Sequence, residues 1–122
     1  MSDQQLKAAM KLIRNVCQPK FKTTDAQINE MHAGNWNQDR AGQCYTWCIL
    51  NMYKLIRKDN SFDWEAGIKT LEIQAPDSIA EYAIPCVNEC KDAVKHQEDK
   101  CVAGFEVAEC IFRCNPEKYF LP

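Results

Sequence analysis

No apolar run in this chain approaches the ~20 residues a helix needs to span a bilayer, and no cluster of lysine and arginine is dense enough to track a phosphate backbone. The 15 basic residues stand against 17 acidic ones, a net charge of −2. Nucleic acid and anionic membrane surfaces are therefore poor candidates as partners. Strand signals are equally scarce, because β-branched residues are scattered and no segment alternates cleanly between apolar and polar. Adjacent cysteines do not occur, there are 2 histidines, and no low-complexity stretch, linker or long repeat divides the 122 residues. The opening MSDQQLKAAM carries none of the apolar character of a signal peptide.

What the chain does have is sulfur. Its length is that of one domain with a real but thin core, and it contains 8 cysteines. So many in so small a domain read either as a disulfide framework from an oxidising compartment or as metal ligands. On the first reading this is a mature secreted chain with an initiator Met in place of its leader.

Apolar periodicity points to helices throughout. Leu6, Met10, Ile13 and Cys17 recur at three to four over residues 2–17, the stripe of one helix that Pro19 should stop. Thr23 or Thr24 followed by Gln27 resembles a capping box, opening a short helix through Met31 that closes at Gly34. A longer helix is expected over about 39–58, with Cys44, Cys48, Met52 and Leu55 inward and KDNS (58–61) as the turn after it. Residues 62–73 carry Trp64, Ile68 and Leu71 at helical spacing. Pro76 should open the next helix at its first position, and Pro85 should kink or restart it just before CVNEC. A last helix over about 99–114 shows Val102, Phe105, Ala108 and Phe112 on one side, and Asn115-Pro116 ends it. The expected fold is an all-α single domain over 1–122, with 115–122 as a tail.

Three cysteine doublets share one spacing: CYTWC (Cys44, Cys48), CVNEC (Cys86, Cys90) and CIFRC (Cys110, Cys114). Side chains four apart on a helix have Cβ atoms about 5–6 Å apart, beyond the roughly 3.5–4.5 Å of a disulfide. If the doublets are helical, none bonds internally, which leaves about 68 of about 105 pairings open. Each doublet must then hold two other elements. If helices over 86–96 and 99–114 pack antiparallel, Cys90 facing Cys110 places Cys86 opposite Cys114, one turn outward on both.

The cysteines at 17, 44, 48, 90, 101 and 110 spell C-x26-C-x3-C-x41-C-x10-C-x8-C. This resembles the six-cysteine signature of insect odorant-binding proteins, the general-odorant and pheromone-binding proteins, and CQPKFKTT and CYTWC look like dipteran members. The resemblance covers essentially the whole chain. It implies about six helices around an apolar cavity, and the bridges Cys17–Cys48, Cys44–Cys101 and Cys90–Cys110. Cys86 and Cys114 lie outside that signature, and their pairing rests on the antiparallel geometry alone.

Catalytic and metal readings find little to stand on. A lysozyme-like hydrolase needs a carboxylic acid with a raised pKa and a second carboxylate, yet nothing separates Glu30, Glu65 and Glu81 from solvated surface charges. His32, at a helix end, and His96, in the charged run KHQEDK, read as exposed histidines rather than a base or ligands. Zinc favours closer pairs such as C-x2-C. No catalytic residue, metal or cofactor is assigned.

That leaves binding in an apolar cavity. Met10, Ile13, Phe62, Leu71, Ile84, Phe105, Ile111 and Phe112 could line it or simply fill the core. By position the resemblance puts Thr46, Leu50, Tyr53, Leu55 and Phe62 on or near its wall. Leucine at 50 and 55 leaves only Thr46 and Tyr53 as polar handles there, which suits a largely apolar or aromatic ligand with at most one hydrogen-bonding group. Tyr119, Phe120 and Leu121 are three large consecutive side chains that do not stay in water, and the resemblance suggests that they cover or enter the cavity. Any pH switch would involve Glu117 and Lys118 or a helix-end histidine. The expected function is an extracellular carrier of a volatile ligand in sensillar lymph or another body fluid. An olfactory receptor and a weakly bound second copy are further candidate partners. The alternatives are a carrier of lipids or amines in haemolymph or saliva and, more remotely, a secreted hydrolase.

Overall fold

The computed structural model describes residues 2–122. Its elements are α1 (Asp3–Lys20), α2 (Asp25–His32), α3 (Arg40–Met52), α4 (Trp64–Gln74), α5 (Asp77–Glu89) and α6 (Lys100–Cys114), followed by a single 3-10 turn, Pro116–Lys118. Short polar residues set most of the starts. Ser2 with Gln5, and Thr24 with Gln27, form reciprocal capping boxes for α1 and α2. Asp39, Asp63 and Asp99 accept from the first free N–H groups of α3, α4 and α6. Pro76 is the cap of α5 rather than its first residue.

Three departures from the expected helices have a backbone reason. α1 runs through Pro19 to Lys20; Asn15, whose carbonyl would have accepted from that position, is exposed to solvent. α5 likewise continues through Pro85 as one helix; Glu81, whose carbonyl would have accepted from that position, is exposed to solvent. α3 stops at Met52, six residues short. Lys54 turns left-handed (φ 60°) and the Leu55 N–H reaches back to the Leu50 carbonyl at 2.9 Å. The chain then runs extended, and Ile56 pairs antiparallel with Phe62 across a turn in which Asn60 takes φ 68°. Leu55 stays buried off the helix, whereas Met52, expected to face inward, is exposed.

The α3–α6 pair is the spine of the fold. A Cβ at Gly104 of α6 would stand 2.6 Å from the Cα of Trp47 on α3, so glycine is what lets the two backbones meet. Beside this crossing the Cα atoms of Cys44 and Cys101 are 4.4 Å apart. Tyr45, Ile49 and Leu50 of α3 pack with Val107, Ala108 and Ile111 of α6 in the core.

Four disulfides join the elements: Cys17–Cys48, Cys44–Cys101, Cys90–Cys110 and Cys86–Cys114. They are the expected set, the pair outside the six-cysteine signature included. α5 ends at Glu89 rather than near 96, but the register outward from Cys90 and Cys110 is antiparallel as anticipated. No helix among the described residues is long and apolar enough to cross a membrane.

Candidate ligand-binding cavity

Behind the spine, α3, α4, α5 and α6 leave a small apolar cavity of about 70 Å³. Leu50 and Tyr53 from the end of α3, then Leu55 and Phe62 from the extended segment, make one wall. Gly67, Thr70, Leu71 and Gln74 of α4 make the second, with Ala75 beyond that helix. Ile79, Val87 and Ile111 make the third, Leu6 of α1 closes one side, and Phe120 and Leu121 of the tail close another.

Eight side chains proposed from sequence therefore meet around one space: Leu50, Tyr53, Leu55, Phe62, Leu71, Ile111, Phe120 and Leu121. The others lie elsewhere. Met10 borders an outer groove between α1 and the tail, with Arg14, Gln18, His32 and Pro122. Ile13 packs half-buried against the core, and Ile84 is half-buried on α5 without reaching the cavity. Thr46 is buried off the wall, and its hydroxyl donates to the Gln43 carbonyl at 2.7 Å. A helical threonine near a carbonyl of the preceding turn is readily taken up in this way. The polar side chains on the wall are Tyr53, Thr70 and Gln74, and Thr46 is not among them.

Apart from Leu71, the α4 face escaped sequence reading, although 67, 70, 71 and 74 are spaced at three to four. It mixes glycine, threonine and glutamine with a single leucine, so no apolar stripe announces it. Gly67 allows the close approach of α5, since a Cβ there would stand 3.3 Å from Val87.

Phe105, Phe112 and Tyr119 belong to a separate aromatic cage. Trp36 packs at ring-centroid distances of 5.4 Å from Phe105, 5.7 Å from Phe112 and 5.9 Å from Tyr119. Tyr119 also stands edge-on to Phe112 at 5.5 Å and to His32 at 4.9 Å. Within this region the Trp36 indole N–H and the Tyr45 hydroxyl are buried and reach no protein partner, at a cost of about 1–3 kcal/mol each. Burial pushes the Tyr119 hydroxyl up in pKa, and the nearby Tyr45 adds to it. Burial also raises Tyr45, with Arg14 opposing, and burial raises Tyr53.

The tail is fastened at its end, where His32 Nε2 lies 2.8 Å from the backbone oxygen of Pro122. Further back, Lys118 Nζ stands 5.2 Å over the Tyr82 ring, and Phe120 meets Tyr82 edge-on at 6.3 Å. The sequence held no sign that His32 would meet the chain end 90 residues on. Among the described residues no cluster of His, Cys, Asp or Glu is arranged to hold a metal.

A family model described as the PBP/GOBP family matches residues 1–113. The chain is 26% identical to general odorant-binding protein 72 of Anopheles gambiae, over 98% of each chain. It is 31% identical to general odorant-binding protein 19a of Drosophila melanogaster, over 76% of this chain and 64% of that one. Among solved structures it is similar to odorant-binding protein 4 of Chrysopa pallens, with 35% identity, a TM-score of 0.90 and coverage of 100% and 99%. The corresponding figures for odorant-binding protein 5 of Apis mellifera are 30%, 0.88, 100% and 98%.

Proposed function

Because this chain belongs to the PBP/GOBP family of insect odorant-binding proteins, all-helical carriers of small ligands, we propose that it holds a volatile, largely apolar ligand in the cavity behind the α3–α6 spine and ferries it through extracellular fluid. The carrying observation is the cavity itself, walled by Leu50, Leu55, Phe62, Val87 and Ile111 and shut by Phe120 and Leu121. At about 70 Å³ it is roughly half the 150 Å³ of an engineered apolar cavity that accepts benzene. A ligand larger than that gap must therefore displace Phe120 and Leu121, and the tail acts as a lid that competes for the same space. Tyr53, Thr70 and Gln74 supply hydrogen bonds to one polar group of the ligand, and the rest of it meets hydrocarbon.

No carboxylate lines the cavity, so an amine would be buried as an unpaired cation; this favours neutral ligands over amines. The step is partition and release, without catalysis. Delivery to an olfactory receptor in sensillar lymph, by a secreted carrier that associates weakly with itself at most, completes the reading. The test is displacement of N-phenyl-1-naphthylamine by a panel of volatiles, run on the full chain and on a chain ending at Asn115. Neutral aromatic and long-chain volatiles should displace the probe better than short alcohols. Truncation should speed ligand exchange. Tighter binding of short alcohols would overturn the ligand class, and unchanged exchange would overturn the lid.

A further inference from the structure

Resting on that carrier reading, we propose that the cage now filled by the Tyr119 ring is a second ligand subsite, which takes an aromatic ring bearing a hydrogen-bond acceptor when the tail withdraws. The ring requirement follows from the cage walls. His32, Trp36 and Phe112 meet the Tyr119 ring edge-on or nearly so at 4.9, 5.9 and 5.5 Å, the arrangement in which aromatic edges and faces attract.

The acceptor requirement follows from the two unpartnered groups. Trp36 is 7% and Tyr45 is 1% exposed, so neither finds solvent, and no protein atom accepts from the Trp36 N–H or pairs with the Tyr45 hydroxyl. Buried polar groups are otherwise almost always paired. An indole N–H can only donate, so whatever completes it must bring an acceptor such as a ketone or ester oxygen.

The occupant is removable. Tyr119 lies on a tail that no disulfide holds, beyond Cys114, and the His32–Pro122 contact is the hydrogen bond that fastens its end. The outer groove along α1 opens beside that contact. Tyr119 thus stands in for the ring of a ligand, and apparent affinity is reduced by the fraction of time the tail is docked. This second subsite lies apart from the Leu50–Phe62 cavity, on the side where Phe105 and Phe112 pack against Trp36.

The test compares acetophenone with ethylbenzene, two molecules of nearly equal size of which only the first has an acceptor, on the 15N-labelled full chain. Acetophenone should move the Trp36 indole N–H proton resonance, assigned by its loss in Trp36→Phe, downfield; ethylbenzene should not. Tyr119→Ala should raise acetophenone affinity about tenfold or more. Trp36→Phe, which keeps a ring in place, should abolish the preference for acetophenone over ethylbenzene. An unmoved indole resonance, an equal gain for both molecules in Tyr119→Ala, or an intact preference in Trp36→Phe would overturn the subsite. If those fail while N-phenyl-1-naphthylamine still binds, the carrier reading stands and only the cage is lost; if that probe fails as well, both are lost.

Discussion

His32 sits where the end of the chain returns to α2, with one ring nitrogen covered by the tail and the outer edge of the ring in water. Burial holds its pKa below the ordinary 6.5; the Pro122 oxygen opposes this and Arg14 adds to it. Above the ordinary value the imidazole is neutral with the tail docked or free, so it adds no pH dependence there. As pH falls through 6.5 toward the lowered value, the unfolded chain takes the proton first, and the fold loses stability at this residue. His96 has the opposite sign, because its hydrogen bond to Glu106 raises its pKa. Its contribution is full below 6.5 and is lost as pH rises through the raised value. As pH falls from about 7.5 to 5.5, the denaturant midpoint of His32→Gln should therefore rise relative to that of the parent chain. A constant difference between the two would assign the effect to other groups. Glu117 and Lys118, named from sequence alongside a helix-end histidine, are both exposed, and Lys118 lies over Tyr82.

Helix existence was legible because the apolar stripes and caps are local signals. Ser2, Thr24, Asp39 and Asp99 mark their helices in the sequence and in space. Helix ends were less so. The left-handed turn at Lys54 has no glycine to advertise it, and it turns the chain off the helix into the Ile56–Phe62 bridge. The α5–α6 register was legible because a short connection makes the two helices antiparallel and the resemblance pairs Cys90 with Cys110; Cys86 then falls opposite Cys114 even when the helix bounds are misjudged. The same geometry sets what the extra bridge contributes. Cys86 and Cys114 are 28 residues apart, but with Cys90–Cys110 already closed the remaining circuit is only the two short segments 86–90 and 110–114. Cys86→Ser with Cys114→Ser should accordingly cost about 2–3 kcal/mol, read from the denaturant midpoint, and the last turn of α6 should lose hydrogen-exchange protection first. A cost near zero would mean that α5–α6 packing already holds that end.

At the scale of the whole molecule, sequence could not distinguish a filled interior from a hollow one. Leu50 and Leu55 look the same as wall or as core, and Phe105 and Phe112 joined the core-side cage although they were equally good cavity candidates. Which side hollows out depends on how unequally the helices are secured. α1, α3, α5 and α6 carry the disulfide cysteines, Cys90 just past the end of α5 included. α2 carries none but buries Ile28 and Met31 and is tied to α3 by Gln27–Asp39. α4 has no bridge and fully buries only Gly67, with Ile73 71% exposed. Its amides should exchange well before those of α3 and α6; protection equal to the spine would contradict this. α4 nevertheless supplies Thr70, Leu71 and Gln74 to the cavity. The wall proposed to meet the ligand is thus the one least tied to the covalent frame. On that proposal, substitutions there change what is carried at small risk to the fold, which gives a lineage of such carriers a place to diversify.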